Sequence, residues 1–598
     1  MNSHGPGPRG RSATDKPTNF KATWGKLLNY FKNYWWIMIL ALVASAIGSV
    51  LTLVGPDQLS KLTDIITRGI MTGIDMPAIQ SIGWTLITLY GISTVLSLSQ
   101  GFIMATVTQK ISKNLRSDLS AKINDLPIAY FDKHTTGDIL SRVTNDIDTI
   151  AQSLNQSIST LVTAITMLVG SLVMMFLTNV TLTITAILST FAGFALMILI
   201  MSRSQKFFSR QQRDLGEING HVEEIYSNHQ TVKVYNGAPD AVNRFAEINN
   251  SLKDSGFKAQ SLSGLMMPIM GFIGNFGYVA VCIVGAMLAI NGDITFGVIV
   301  AFIMYVRFFT QPLSQLAQAS QSLQSTAAAA ERVFEMLEAP EMADESEKTT
   351  ALKTIEGNVS FEHVSFSYPN SDQTVIHDFS AEATAGQKIA IVGPTGAGKT
   401  TIINLLMRFY EVSGGSIKID GIPTSQLKRE TVRDQFSMVL QDTWIFNGTV
   451  RENLVYSIQN VSEDRIMSAS KAVGLHHFIS TLPLGYDTLL NDQISLSEGQ
   501  KQQITIARAM IADRPMLILD EATSSVDTRT EQHIQNAMDL LMTGRTSFII
   551  AHRLSTIKNA DLILVMKDGD IIESGNHDYL MDHGDFYAQL YNSQFEVA

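Results

Sequence analysis

Residues 388–400 read Lys-Ile-Ala-Ile-Val-Gly-Pro-Thr-Gly-Ala-Gly-Lys-Thr, and Thr401 to Tyr410 continue with helical periodicity. Four uninterrupted aliphatic residues after Lys388 suit a strand buried on both faces. The run from Gly393 to Thr400 carries the glycines, the lysine and the hydroxyl of a phosphate-binding loop in register, between the strand and helix that such a loop requires. Its glycines let backbone N–H groups wrap phosphate oxygens at a helix N-terminus. Lys399 adds positive charge toward the β- and γ-phosphates, and Thr400 offers an oxygen to Mg²⁺. The C-terminal part of the chain, residues 355–598, is therefore expected to be an α/β domain built around this loop.

Two more apolar strands with polar ends follow. Met516-Leu-Ile-Leu-Asp520 is followed by Glu521, so Asp520 can hold Mg²⁺ through water and Glu521 can polarise an attacking water. An acidic pair after a strand means little alone; downstream of a phosphate loop it gains a role. Phe548-Ile-Ile-Ala-His552 ends in a histidine placed to hydrogen-bond a γ-phosphate.

The N-terminal part has a different composition. Only 17% of the 598 residues are charged, against about 25% in a typical soluble chain. No Asp, Glu, Lys or Arg occurs in residues 81–109, 149–202 or 259–292. A membrane span needs about 20 apolar residues, and six segments qualify: about 35–56, 82–107, 156–177, 181–201, 268–290 and 295–316. Thr178-Asn179 marks a tight turn between the third and fourth. Segments 110–142 and 203–258 hold six and eight Lys/Arg, against two in 57–80, which places the basic segments and both termini in the cytoplasm of a multi-pass cell-membrane protein. Residues 1–19 are expected to be disordered. Phe20, Trp24, Leu27, Leu28 and Phe31 share one face of a helix suited to the inner membrane surface. Residues 20–334 form the transmembrane domain, and 335–354 a linker.

Charge also separates the halves. Residues 1–334 hold 24 Lys/Arg and 19 Asp/Glu, a balance of +5; residues 335–598 hold 20 and 36, a balance of −16. A nucleic-acid partner is not expected of so acidic a domain. The single cysteine, Cys282, cannot form an intramolecular disulfide and reads as a small packed or lipid-facing hydrophobe rather than a reactive thiol. Arg307 lies inside the sixth span, where a charge usually faces a wet cavity. With Phe272, Phe276, Phe302, Met304 and Phe308 it marks a candidate cargo cavity, the alternative being plain packing of the aromatics.

Leu496-Ser497-Glu498-Gly499-Gln500, followed within about 20 residues by Leu517–Glu521, resembles the signature and Walker B motifs of ATP-binding cassette (ABC) transporters. The resemblance extends from about residue 20 to 592, and is to half-transporters of the type IV exporter class, near subunits of bacterial heterodimeric multidrug exporters. It implies an all-α six-helix transmembrane domain followed by an α/β P-loop NTPase domain. ATP and Mg²⁺ are the implied cofactors. Tyr368 resembles the aromatic that stacks on adenine, beside the loop residues Gly393, Pro394, Thr395, Gly396, Ala397, Gly398, Lys399, Thr400 and Thr401. Gln441 resembles the Q-loop residue, a further Mg²⁺ ligand and catalytic group with Glu521 and His552. Asp527 resembles the D-loop residue. Ser497, Gly499 and Gln500 would act on the ATP of a partner half-transporter. Tyr130-Phe-Asp132, Gly137–Arg142 and Asn145-Asp146 resemble the first coupling-helix region, and Gly220–Glu224 with Thr231–Lys233 the second.

Two departures stand out. Glu498 occupies a position where the family has Gly, and Gly485–Ser495 lacks the usual Gly-Glu-x-Gly element. Either this is tolerated variation on a solvent-facing turn, or the signature serves a weakened site in a heterodimer. The expected activity is ATP-driven export of small hydrophobic or amphipathic cargo across the lipid bilayer. A homodimeric lipid flippase or peptide exporter is the alternative within the class. A regulatory cassette protein would not need six spans, and a nucleotide-gated channel would not need turnover.

Overall fold

The computed structural model describes residues 19–352, 355–369, 371, 373–440, 443–491, 496–520, 528–550 and 557–595. These divide into two compact units: one runs to Asn124 and resumes over Thr136–Ala339, the other combines Asp125–Thr135 with the chain from Pro340 onward.

The described residues of the first unit are helical, as expected where no water is available to satisfy backbone N–H and C=O groups. In chain order come α1 (Phe20–Tyr30), α2 (Trp35–Thr72), α3 (Met76–Asp125), α4 (Ile128–Lys133), α5 (Thr136–Ser141), α6 (Ile147–Thr178), α7 (Val180–Ser227), α8 (His229–Val234), α9 (Ala238–Gly264), α10 (Met266–Ile290) and α11 (Phe296–Leu337). Of these, α4 belongs to the second unit. Six stretches are long and apolar enough to cross a membrane: α2, α3, α5–α6, α7, α10 and α11. At 1.5 Å per residue α3 is about 75 Å long, far beyond the ~30 Å of hydrocarbon. The spans therefore continue as helices outside the bilayer. Between α6 and α7, Asn179 reverses the chain and caps α7 by accepting from the Leu182 N–H at 3.0 Å.

α11 packs along α2, α6 and α10. Its buried face presents Phe302, Tyr305, Val306 and Phe309 to Met175, Leu182, Ala186 and Val281. Phe302 is fully buried there. This corrects its assignment to a cargo cavity: at helical spacing from Tyr305 and Phe309 it falls on the packed side. The α1 face is also narrower than expected. Thr23, Leu27 and Phe31 are buried along one line, while Phe20 and Leu28 remain exposed. α1 lies against α11, where Tyr30 meets Phe334 at 5.8 Å between ring centroids.

At the foot of this unit, a five-residue π-helical turn, Arg142–Asp146, joins α5 to α6. Asp146 is 1% exposed and Arg332 of α11 7%; Arg332 Nε donates to Asp146 Oδ2 at 2.8 Å. Arg142, also buried, donates to the Arg332 carbonyl at 3.3 Å and pairs with Asp138 at 3.0 Å. Pairing offsets the desolvation of these charges, and removal of one partner would leave the other stranded.

The second unit is an α/β domain. Its strands are β1 (Val359–Ser367), β2 (Thr374–Ala383), β3 (Lys388–Val392), β4 (Gly414–Ile419), β5 (Ile422–Pro423), β6 (Phe436–Val439), β7 (Gly448–Thr449), β8 (Leu489–Leu490), β9 (Met516–Asp520), β10 (Thr546–Ile550), β11 (Leu562–Lys567) and β12 (Asp570–Gly575). β2-β1-β4-β5 form an antiparallel sheet, and β12-β11-β3-β10-β9-β6 a six-stranded sheet that is parallel from β11 to β6. The near-continuous burial of β3, β9 and β10 is that of parallel strands covered on both faces.

Two segments outside the sheets are held by one stretch of this unit, Arg408–Glu411, just past the helix Lys399–Leu406 (α12). The Tyr410 hydroxyl hydrogen-bonds the Asp132 carboxylate of α4, whose neighbour Ala129 packs on the core. The segment expected as a linker is anchored as well. Residues 335–337 complete α11, and Glu345 accepts from Arg408 Nη2 at 2.7 Å, the Arg429 N–H at 2.6 Å and Lys348 Nζ at 2.9 Å.

Partial burial works to raise the Glu345 carboxyl, but the bonds from Lys348, the Arg429 N–H and Arg408 outweigh it and lower it from 4.5 to about 2. A depressed carboxyl contributes stability that is full above its unfolded value and is lost as pH falls through the folded one. Protection factors for the 340–350 amides, with the intrinsic exchange rate at each pH divided out, should therefore fall between about pH 4.5 and 2 in the wild type. In Glu345→Gln they should be low already at pH 6 and lack that transition.

Candidate functional site

The phosphate loop grows from the middle of the parallel sheet. β3 lies between β11 and β10, with Ile391 opposite Leu564 on one side and Ile550 on the other; Ile550 in turn faces Asp520 of β9. The C-terminal ends of β3, β10 and β9 are thus level. At about 4.8 Å per strand Asp520 stands some 10 Å from the loop, on the edge of a parallel sheet where ligands bind.

Local geometry explains the glycines. Gly393 has φ +155° and Gly398 φ +98°. A Cβ at Gly393 would lie 2.2 Å from the Met566 carbonyl oxygen, and one at Gly398 2.7 Å from Ile376 Cδ1. Only a bare backbone fits under β11 and β2 while turning into α12. Ala397 is buried beneath the loop, Thr395 and Gly396 are exposed on top, and Pro394 is half-buried at its start. Lys399 is 8% exposed, and its Nζ donates to the carbonyls of Gly393 and Pro394 at 2.8 and 3.0 Å. The cation is thereby drawn back over the loop it closes, beside the N-terminus of α12. Thr400 presents an exposed hydroxyl, whereas Thr401 is buried and its Oγ1 lies 3.1 Å from the Tyr368 hydroxyl.

Tyr368 is half-buried at the end of β1, its ring edge-on to Phe366 (4.9 Å, 78°) and to Tyr410 (5.2 Å, 86°). Two hydrogen bonds and a ring contact therefore run from Thr401 of α12 through Tyr368 and Tyr410 to Asp132 of α4. Sequence reading singled out Tyr368 and Asp132 separately and missed Tyr410 between them. Its signal was the polar run Arg408-Phe-Tyr-Glu411 directly after an apolar helix. Burial, then the hydrogen bond to Asp132 and its negative charge, push the Tyr410 hydroxyl well above the usual phenol range, so it stays a donor.

These residues suit a nucleoside triphosphate: a glycine cradle, a buried lysine and an aromatic beside the helix. They also fit Mg²⁺. Among the described residues no three His, Cys, Asp or Glu side chains form a cation site on their own, and Mg²⁺ usually takes one or two protein oxygens with the rest from phosphate and water. Thr400 and Asp520 would supply those oxygens, and the ion would neutralise charge on the phosphates. Gln441, Glu521, Asp527 and His552 lie outside the described residues.

Ser497 opens the helix Glu498–Ala512 with a reciprocal cap. Its Oγ accepts from the Gln500 N–H at 3.2 Å, and its own N–H donates to Gln500 Oε1 at 2.9 Å. Gly499 is buried, while Ser497 and Glu498 are exposed. Glu498 pairs with Lys501 at 2.7 Å, so the acid at the departing position is partly compensated one turn along. The Gly485–Ser495 stretch is described only as far as Asn491.

Of the cavity candidates besides Phe302, Arg307 is exposed, Met304 and Phe308 are half-buried, and Phe272 and Phe276 are exposed and stacked at 6.1 Å. Cys282 is half-buried.

Comparison with known proteins agrees with both units. Residues 38–313 match the family described as the ABC transporter transmembrane region, and residues 376–524 the ABC transporter family. A fatty acid ABC transporter ATP-binding/permease protein of Mycobacterium bovis is 45% identical over 87% of this chain and 82% of its own length. An ATP-dependent lipid A-core flippase of Idiomarina loihiensis is 32% identical over 97% and 99%. The solved structure of a bacterial Atm1-family ABC exporter with ATP bound superposes with a TM-score of 0.71 at 27% identity, covering 94% of this chain and 98% of that one. The chain belongs to the ABC transporter family and is a type IV half-transporter, which couples ATP hydrolysis in its α/β domain to transport through six membrane-crossing helices.

Proposed function

We propose that this chain is one half of a dimeric exporter of hydrophobic or amphipathic compounds, with lipid-like amphiphiles the favoured cargo over a broad multidrug range. The level ends of β3, β10 and β9, which bring the glycine loop and Asp520 to one edge, carry the energetic half of this reading. Two relatives whose names specify a fatty acid and a lipid A core support the cargo half. In the proposed cycle the loop amides and Lys399 hold the phosphates, Tyr368 seats the base, and Thr400 and Asp520 hold Mg²⁺ with Gln441. Glu521 polarises the attacking water and His552 contacts the γ-phosphate. Binding of ATP favours closure of two cassettes, and hydrolysis releases it. The protein lies in the cell membrane with both termini in the cytoplasm.

The partner is proposed to be a different half-transporter. In α8, the proposed second coupling helix, no residue is buried in this chain, and the flanking Tyr226 and Tyr235 are 82% and 80% exposed; a second subunit would cover them. Glu498, one residue past the signature serine, puts a negative charge where the signature faces the partner's nucleotide. Such a charge is tolerable where that site needs no fast chemistry. A homodimer remains the second reading, since nothing in the P-loop half is defective.

Glu521→Gln should keep ATP binding and lose most turnover, on the order of 10²–10⁴ in rate, because Gln keeps the shape but not the basicity. Trapped ATP with negligible phosphate release is the expected result; near-normal turnover removes Glu521 from the role. Lys399→Ala should instead weaken nucleotide binding itself.

Ser497→Ala separates the two dimers. In a heterodimer whose partner carries a weak Walker B, steady ATPase should barely change. In a homodimer it should fall roughly 10²-fold, the cost of one donor to the transferring phosphate.

A further inference from the structure

Arg307 is the only Asp, Glu, Lys or Arg in the six stretches 35–56, 82–107, 156–177, 181–201, 268–290 and 295–316. It stands about 17 Å along α11 from Phe296 at 1.5 Å per residue, close to the middle of a ~30 Å hydrocarbon layer. Its side chain is exposed, and among the described residues its guanidinium has no hydrogen-bond or ion-pair partner; only its backbone carbonyl accepts, from Thr310. A bare guanidinium there is costly against lipid and is normally found on a wet path or bundle interior.

The face of α11 that carries it changes character at that residue. At helical spacing on one side lie Phe296, Val300, Ile303 and Met304, all apolar and exposed or half-buried; on the other lie Gln311, Ser314 and Gln318, polar and likewise accessible. The opposite face is the packed one, Phe302, Tyr305, Val306, Phe309 and Pro312. The open stripe is thus apolar, then cationic, then polar along the helix axis. That is the complement of a molecule with a tail and an anionic head.

We propose that Arg307 and Gln311 bind the head group of a single-chain anionic amphiphile, a carboxylate or a phosphate monoester, with its tail along Val300, Ile303 and Met304. The proposal rests on the reading that this chain exports amphiphiles and names their head-group charge. A planar guanidinium takes either head through paired N–H donors, and Gln311, one turn on, adds a neutral donor. Tail burial alone discriminates little between heads, so charge selection falls to Arg307.

The test uses the complete transporter in liposomes, with ATPase measured against oleate, oleyl phosphate, oleyl alcohol and oleylamine, each response taken relative to that variant's own unstimulated rate. Oleate or oleyl phosphate should stimulate the wild type, the stronger of the two identifying the head, and the alcohol and amine should not match it. Arg307→Gln should raise the half-stimulating concentration of the anionic probe on the order of ten- to a hundredfold, the value of a charge-assisted hydrogen bond. Arg307→Lys should retain much of the response, and Arg307→Glu should transfer preference to oleylamine, a reversal that loss of folding cannot produce. Gln311→Leu, which leaves the cation in place, should weaken the anionic probes less than Arg307→Gln does. Equal stimulation by oleate and oleyl alcohol in the wild type overturns the proposal, as does an unchanged half-stimulating concentration in Arg307→Gln. A wild type indifferent to all four probes instead removes the amphiphile-export reading itself.

Discussion

The parallel pairing of β3 with β11 and β10 is the constraint on which the rest of this molecule depends. It fixes where the chain must reverse after Val392, and the reversal is so tight that the Met566 carbonyl leaves no room for a side chain at Gly393. The same pairing levels Asp520 with the loop. It also aims α12, so that the residues just past it, Arg408–Glu411, emerge beside two segments that lead to the membrane helices. A phosphate loop and a carboxylate level with it thus follow from one set of strand registers.

The residues just past α12 hold two segments of their own unit. Tyr410 meets Asp132 of α4 with its hydroxyl and Tyr368 with its ring edge, while Arg408 holds Glu345 of the segment that follows α11. Every group involved is within a few residues of α12 or bonded to one that is. In the membrane unit the buried Asp146–Arg332 pair ties the π-turn before α6 to the last turns of α11. The helix that carries Arg307 is the helix so tied.

Much of this was legible in the sequence, because the strongest physical signals are local. Uncharged runs of spanning length, an aliphatic strand ending in glycines and a Ser-x-x-Gln cap each declare themselves within about 20 residues. Six membrane-crossing stretches, the Thr178-Asn179 turn and the strand–loop–helix at 388–410 all appear in the structure. Less legible was what depends on distant partners. Phe302 looked like its exposed neighbours, but only the placement of α6 and α7 decides which face of α11 is packed. Glu345 read as linker because the two arginines that hold it lie more than 60 residues away. Tyr410 carried no motif at all; its meaning comes from α4, nearly half the chain earlier.

The most direct test of the account follows phosphate release and cargo movement together. Vesicles carrying the complete transporter with its α/β domains outward would be loaded with ATP outside and a labelled anionic amphiphile, and both quantities recorded over the same interval. The account predicts luminal accumulation against a gradient that proceeds with ATP and stops with a non-hydrolysable analogue. Steady phosphate release without accumulation, or downhill flux that persists with the analogue, would contradict it.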